Sequence, residues 1–432
     1  MASSTPVARV VSKEKYDQQH FLDVDVSKLP PLAGSSVRIQ SRMFALSSNN
    51  LSYCAMGDIL HWWKAFALPS YLPAPFNDPE TYGIPPGWGI AHVVESTIPA
   101  LEPGQTLFGF IPTSTMLADL QLEQSEDVPG HWLEVSKHRE QLMSLYNRYL
   151  VTGEDFGGRY SGVDAAYWIT SMILPFESGW LFNRVFTARP EEPIPPLPES
   201  GMSWSVEDAD LSSTLLIVLG AGGKSARSFM YQVATNRRDG EGPKGLMEVT
   251  SGRESPVAGL DVRFTHRTIG YDAIQSTDTL KWIENIEAKR IMILDFGGRG
   301  DPKRLTLRLR REFPQRKVDL TNIGGKPMVY SAADKAERLA LSTELQALRM
   351  NHSGIRDAVM QQIGEKKYFD RLFRDWETFV QSAVERHKGT EKEGLLLGVK
   401  LDVRKGVSAL EETWSQLPQG QIPGNVGCVI SL

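Results

Sequence analysis

Ser213-Thr214-Leu215-Leu216-Ile217-Val218-Leu219-Gly220-Ala221-Gly222-Gly223-Lys224-Ser225-Ala226-Arg227-Ser228-Phe229-Met230 is the stretch on which the fold turns. A β-rich apolar run of strand length ends in three glycines within four residues, and a segment of helical character, Lys224 to Asn236, follows at once. The order is strand, tight turn, helix. Glycines at Gly220, Gly222 and Gly223 let the backbone turn sharply and approach a ligand. The unpaired amides and positive dipole end of the new helix favour a phosphate, so a dinucleotide pyrophosphate is one reading of the turn and a plain β-α connection the other. A P-loop is excluded by spacing, because Gly-x-x-x-x-Gly-Lys-Ser ending at Ser225 requires glycine where Val218 stands.

Outward from this stretch the chain alternates. Leu246 to Thr250, Ala288 to Asp295 and Lys317 to Leu320 read as strands, and the segments between them carry helices. Alternation of this kind implies a parallel sheet with right-handed crossovers, with a ligand at the strands' carboxyl ends. Long helices are expected over Ala332 to Met350 and Glu365 to His387, then strand-like runs over Gly394 to Val403 and Val426 to Leu432.

Before the turn the pattern differs. Residues 1 to 36 read as an irregular or edge-strand lead-in, and Val37 to Leu46 as a strand with Val37, Ile39 and Ser41 on one face and Arg38, Gln40 and Arg42 on a solvated one. Ser47 to Asp58 is rich in short polar side chains and reads as a functional loop or short helix entrance. An aromatic cluster with interspersed prolines follows: His61, Trp62, Trp63, Phe66, Tyr71, Phe76, Tyr82 and Trp88. Such density fills a core or, on a second reading, makes the flat wall of an apolar pocket. Gly87 to Ser96 and Leu101 to Phe110 read as further short strands with glycine and proline punctuation, which suggests a barrel. Leu142, Leu145, Tyr146 and Tyr149 recur at helical steps, and Ala165 to Leu174 is an apolar helical stretch. Arg189 to Ser200 carries so many prolines that it reads as a stiff, exposed linker.

Composition bounds the function classes. The 432 residues suffice for two domains, and 41% hydrophobic with 23% charged residues is a globular balance. Forty-seven basic against 52 acidic side chains give a net charge of -5, too mild to point to a nucleic acid. No apolar run reaches bilayer length and Met1 to Val11 lacks a signal-peptide core, so a cytoplasmic location without membrane contact is expected. Two cysteines, Cys54 and Cys428, exclude a four-cysteine zinc site, and Cys428 stands one place too early for prenylation.

The order of these parts resembles the medium-chain dehydrogenase/reductase superfamily: a barrel carrying Pro103-Gly104-Gln105-Thr106-Leu107-Phe108-Gly109, helices, a nucleotide-binding sheet, and a return to the barrel through Asn425 to Ile430. Asn49-Asn50-Leu51-Ser52-Tyr53, Trp62-Trp63-Lys64-Ala65-Phe66, Trp88-Gly89-Ile90-Ala91-His92-Val93 and Tyr146-Asn147-Arg148-Tyr149 resemble a branch of that superfamily known as a domain of unknown function. The resemblance implies an α/β protein, with a GroES-like barrel over residues 1–188 completed by 351–432, a Pro-rich linker over 189–204, and a Rossmann-type doubly wound sheet over 205–350. Trp88-Gly89-Ile90-Ala91 stands where zinc alcohol dehydrogenases carry Gly-His-Glu, so the likeness is to zinc-free enoyl and quinone reductases and no metal is expected.

For the cofactor, the resemblance implies Gly220, Gly222, Gly223, Lys224 and Ser225, with Ser225 replacing the glycine that lets the helix pack closely. Lys224 either reaches a phosphate or is a solvated lysine at a helix start. Thr250-Ser251-Gly252-Arg253 at the second strand's end offers hydroxyls and a guanidinium suited to a 2′-phosphate, so Ser251 and Arg253 favour NADPH. Asp295-Phe296-Gly297-Gly298 and Asn322-Ile323-Gly324-Gly325 resemble the superfamily's later cofactor loops, the second on the nicotinamide side. The expected activity is NADPH-dependent reduction of an enone, quinone or carbonyl in a small apolar molecule. Tyr53 would be hydrogen-bond donor or proton source, Asn50 the carbonyl anchor, Asn49 a further donor, and Trp62, Trp63, Phe66 and Trp88 the pocket wall; on the other reading Asn50 caps a turn and Tyr53 packs. The alternative is a non-redox cyclase or isomerase of natural-product tailoring on the same scaffold, favoured by Ser225. The partner is a small molecule, with a homodimer as an allowed assembly.

Overall fold

The computed structural model describes residues 5–152, 163–187, 193–252, 255, 257–387 and 396–432. In chain order the first strands are β1 (Val7–Ser12), β2 (Gln19–Asp23), β3 (Ser36–Leu46), β4 (Tyr82–Gly83), β5 (Pro86–Ser96), β6 (Thr106–Pro112), β7 (Leu117–Gln124), β8 (His131–Glu134) and β9 (Arg148–Thr152). They are followed by β10 (Thr214–Leu219), β11 (Gly245–Val249), β12 (Thr265–Ile269), β13 (Arg290–Phe296), β14 (Lys317–Gly324), β15 (Leu348–Arg349), β16 (Lys400–Lys405) and β17 (Val426–Ser431). The helices are α1 (Ser48–Ala55), α2 (Val163–Val185), α3 (Val206–Ala209), α4 (Lys224–Thr235), α5 (Thr277–Asn285), α6 (Pro302–Glu312), α7 (Ala332–Glu344), α8 (His352–Ile363), α9 (Glu365–His387) and α10 (Gly406–Gln416).

Strands β3, β5, β6, β9, β8 and β7 pair in that order, and β3 pairs again with β7, so six antiparallel strands close into a barrel. Closure removes the sheet edges. β17 and β16 extend β3 outside the ring, which is how the end of the chain returns to its beginning. Arg38, expected on a solvated face of β3, is buried and held by Glu95 at 2.9 Å and Asp119 at 2.7 Å. Paired carboxylates make that burial tolerable.

β12, β11, β10, β13, β14 and β15 form a second, wholly parallel sheet. Numbered from β10, its order is 3-2-1-4-5-6, the arrangement of a dinucleotide-binding sheet. The glycine turn follows the central strand β10, all six of whose residues are buried. Helix α2 packs on α4 at backbone distance. A side chain at Gly179 would stand 2.5 Å from the Ser228 carbonyl carbon, so the glycine that permits close helix contact sits in α2.

Three local expectations change. The helical steps from Leu142 to Tyr149 fold as two 3-10 turns, Lys137–Arg139 and Ser144–Asn147, followed by β9. The buried Arg139 guanidinium donates to Tyr149 Oη at 2.8 Å and to the Tyr146 carbonyl at 3.0 Å, which fixes the tight turn against helix continuation. Within the expected linker, residues 189–192 lie outside the described residues, while Ile194 and Pro196 are buried rather than exposed. The Pro196 carbonyl accepts the Asn351 amide at 3.1 Å, so this segment is stapled to the start of α8. The helix expected to reach Met350 stops at Glu344, and the chain adds the short strand β15.

Candidate functional site

At the carboxyl edge of the parallel sheet the chain leaves β10 through Gly220 at φ +74°, a conformation that favours glycine. The Gly223 amide donates to the Gly220 carbonyl at 2.9 Å and closes the turn. Helix α4 then starts on Gly223 with no side-chain cap. Helices α1, α5, α6, α7 and α8 all begin on a Ser, Asp or Asn whose side chain accepts an early amide. The N-cap of α4 supplies no side chain to its first amides, and these carry the positive end of the helix dipole. The neighbouring strand ends crowd the turn: a Cβ on Gly222 would stand 2.9 Å from Thr250 Oγ1, and one on Gly220 would stand 3.3 Å from the Gly298 nitrogen.

Beside the turn, Thr250, Ser251 and Gly252 after β11, Gly270, Tyr271 and Asp272 after β12, and Arg299 after β13 line a cavity of about 590 Å³. That lies within the roughly 300–1,000 Å³ of small-molecule sites. Tyr271 braces it: its hydroxyl oxygen accepts the Gly220 amide at 2.9 Å, and burial raises the pKa of the phenol. Asp295 Oδ1 accepts the amides of Gly297 at 3.0 Å and Gly298 at 2.9 Å, tying the third loop of the edge. Gly297 itself has φ +89°, and any Cβ there would run into the Gly325 carbonyl.

The loop before β17 lies across the opposite side of the turn. A Cβ on Gly424 would be 3.2 Å from Gly223 Cα, and the Gly420 carbonyl accepts from Arg299 Nη2 at 3.1 Å. Lys224 takes neither role expected of it. Its ammonium donates to the Val426 carbonyl at 2.8 Å, anchoring α4 to the barrel's returning strand, and desolvation lowers its pKa to about 8. Ser225, the second residue of α4, is half-buried. Arg253 lies outside the described residues.

On the barrel side, α1 divides its residues between two faces. Asn50, Leu51, Tyr53 and Cys54 turn into the barrel, while Ser48, Asn49 and Ser52 are less buried. Asn50 is spent on structure: its Oδ1 accepts the Ser47 amide at 2.9 Å, completing a capping box with Ser47, and its Nδ2 donates to the Pro86 carbonyl at 3.4 Å. Tyr53 is buried edge-on against Trp62 at 4.9 Å and Phe110 at 5.1 Å, and its hydroxyl oxygen accepts the Trp88 indole N–H at 3.0 Å. Desolvation raises its pKa further from neutral, which is poor for a proton donor. Trp62, Trp63, Phe66 and Trp88 are all buried. Trp63 slots against Gly57 and Gly83, where Cβ atoms would collide with its indole. The hollow beside Trp88 measures about 30 Å³, one water's share of volume. These aromatics therefore fill the barrel instead of walling a pocket. Asn49 is exposed on the first turn of α1.

Of the expected site residues Ser251 lines this cavity, Gly220 and Gly222 adjoin it through Tyr271 and Thr250, and Tyr53, Asn50 and the tryptophans lie outside it. Tyr271 was not foreseen, because β12, Thr265-His266-Arg267-Thr268-Ile269, is too polar to register as a strand, and Arg299 was passed over one residue beyond the loop singled out after β13. Among the described residues no group of three or more His, Cys, Asp or Glu side chains is placed to hold a metal, and no helix is long and apolar enough to cross a membrane.

Residues 44–423 match the family described as protein of unknown function (DUF2855). The chain belongs to that family. A comparison with curated proteins finds no match. Among solved structures, CurA from Vibrio vulnificus is similar over 99% of this chain and 98% of its own, with 11% identity and a TM-score of 0.50. Escherichia coli quinone oxidoreductase complexed with NADPH is 10% identical over 99% and 100% of the two chains, with a TM-score of 0.49. A mutant enoyl thioester reductase from Candida tropicalis is 12% identical over 100% of both, with a TM-score of 0.48. At these identities the likeness is one of fold. This DUF2855 chain shares with CurA the fold of a closed barrel joined to a parallel sheet.

Proposed function

We propose that this protein is an NADPH-dependent reductase of an enone, quinone or carbonyl in a small molecule, working without zinc in the cytoplasm. The observation that carries the reading is the cavity of about 590 Å³ at the carboxyl edge, adjoining a glycine turn whose helix starts uncapped. The residues fit a dinucleotide. The amides at the start of α4 suit a pyrophosphate. Thr250 and Ser251 put hydroxyls where an NAD enzyme would put an acid, directly after the second strand of the unit, and Arg299 adds a guanidinium to the same cavity. Among the described residues the one acid in the lining, Asp272, follows the third strand. That arrangement favours a 2′-phosphate over a free ribose hydroxyl.

NADPH seated there supplies hydride, and the protein's share is to orient the acceptor and stabilise the oxyanion that develops. Cys54 is buried with its pKa raised to about 12, unsuited to metal ligation or nucleophilic attack. Because Gly424 lies directly on Gly223, a second reading also has an observation behind it: non-redox tailoring chemistry on a scaffold whose cofactor seat is partly covered.

Titrating the protein with NADPH and NADH while following nicotinamide fluorescence, then adding enones and quinones while following cofactor oxidation, separates the two. Tighter binding of NADPH with turnover is the expected result. Binding without oxidation of any acceptor favours tailoring chemistry, and no binding of either nucleotide overturns the reductase.

A further inference from the structure

Residues 417–425, between α10 and β17, run from the barrel across the glycine turn of the parallel sheet as a short strap. Its backbone bonds are local: the Gly420 amide donates to the Leu417 carbonyl at 3.0 Å, the Gln421 amide to the Gln416 carbonyl at 3.2 Å, and the Val426 amide to the Pro423 carbonyl at 3.0 Å. Gln419, Gln421, Pro423 and Gly424 are exposed.

Two contacts tie the strap to the cofactor edge. The first is main chain on main chain, since a Cβ on Gly424 would stand 3.2 Å from Gly223 Cα and 3.3 Å from the Gly223 nitrogen. A phosphate set down over Gly223 would meet the strap. The second is Arg299, whose Nη2 donates to the Gly420 carbonyl at 3.1 Å.

Arg299 also belongs to the cavity. It is exposed and lines the space of about 590 Å³ together with Thr250 and Ser251. Among the described residues no carboxylate pairs with its guanidinium, Asp272 of the same lining included, so a neutral carbonyl is what holds it. A phosphate carries the charge and the paired oxygens that a carbonyl lacks. A ribose phosphate entering the cavity therefore competes with the strap for one donor, and the exchange favours the phosphate.

We propose that Arg299 selects the phosphorylated dinucleotide by exchanging the Gly420 carbonyl for the 2′-phosphate, which frees the strap and bares the amides at the start of α4. The inference rests on the reductase reading for its ligand, and it names how that site is regulated. NADH, with a hydroxyl in place of that phosphate, has to lift the strap against an intact latch.

The test uses the full chain. Affinities for NADPH and NADH are read by nicotinamide fluorescence in the unaltered protein and in Arg299→Gln, whose unfolding midpoint should hold because the side chain is exposed. The unaltered protein should bind NADPH about tenfold tighter than NADH. Arg299→Gln should weaken NADPH and tighten NADH about threefold, because a strap without its latch yields to either dinucleotide. A guanidinium that merely touched the phosphate would leave NADH unchanged. A second measurement follows the strap itself. Ile422 is half-buried against the core, so the thiol of Ile422→Cys should react slowly with a thiol reagent in the empty protein, while the buried Cys54 and Cys428 stay silent. Adenosine 2′,5′-bisphosphate should speed that reaction about tenfold and 5′-AMP should not, and adding Arg299→Gln should make it fast without any ligand. NADH affinity unchanged by Arg299→Gln, or a thiol rate that answers to neither the bisphosphate nor the variant, overturns the proposal. No nucleotide bound by the unaltered protein sinks the reductase and the selection with it, whereas NADPH bound and oxidised over an unmoved strap sinks the strap alone.

Discussion

The barrel core and the sheet edge treat side-chain volume in opposite ways. In the barrel, Tyr53, Trp62, Trp63, Trp88, Phe110 and Tyr146 are buried together, and glycines 57, 83 and 109 are the notches into which rings fit. At the edge, Gly220, Gly222 and Gly223 remove side chains beside an open cavity of about 590 Å³. One set of glycines is filled by the protein's own aromatics, and the other lets the loops at the strand ends close on one another beside the cavity. A glycine is thus a sign of close approach in both places, and only the company it keeps tells whether the approaching group is internal or a ligand.

The largest effect that could break this contrast is on stability. Trp63→Ala empties the slot between Gly57 and Gly83 and should cost about 3–5 kcal/mol in chemical denaturation. Nucleotide affinity measured on the folded fraction should stay within about twofold, because the slot shares no lining residue with the edge cavity. A loss of NADPH binding that exceeds the loss of fold would mean the tryptophans do face the ligand. The reverse pattern is expected of Gly222→Ala. Its new methyl meets Thr250 Oγ1 at 2.9 Å at the margin of the cavity, so NADPH affinity should fall about tenfold, near 1.4 kcal/mol, with less than about 1 kcal/mol lost in stability. Unchanged affinity would place the dinucleotide elsewhere or nowhere.

The same contrast explains what could be read in the sequence. Leu215 to Leu219 followed by Gly220 is an apolar run and a turn that admit few structures, and both appear where the residues placed them. The barrel's strands were legible through glycine and proline punctuation at Gly87 and Pro103-Gly104. β12 was not, since an edge strand with two exposed residues needs no apolar run. The sequence left Tyr53 and Asn50 open between a site role and a structural one, because residue type alone does not say which way a helix faces. Ser47 caps α1, and that cap sets the rotation that turns Asn50 and Tyr53 inward and leaves Ser52 toward Gly325. The orientation is then held by contacts outside the helix, Asn50 with Pro86 and Tyr53 with Trp88, 36 and 35 positions away, which no local pattern encodes.

The smallest effect sharpens the boundary between the two regions, where Lys224 of α4 donates to the Val426 carbonyl of the barrel's last strand. Desolvation lowers the lysine's pKa from 10.5 to about 8, so the unfolded chain binds this proton more tightly than the folded one. Below pH 8 both states carry the charge and the desolvation cost is present in full. Between about pH 8 and 10.5 the folded state sheds its proton first, the cost is relieved, and stability rises with pH. The side chain is only half-buried by surface exposure, so the gain is about 1 kcal/mol rather than what the whole shift would give. In urea denaturation from pH 7.5 to 10, the unaltered protein should gain that much relative to Lys224→Met, in which other titrating groups contribute equally and cancel. NADPH affinity of the variant should change less than about threefold, because the ammonium is committed to a backbone carbonyl. A flat stability difference together with a large loss of NADPH affinity would instead make Lys224 a phosphate ligand and move the barrel's returning strand out of the part assigned to it.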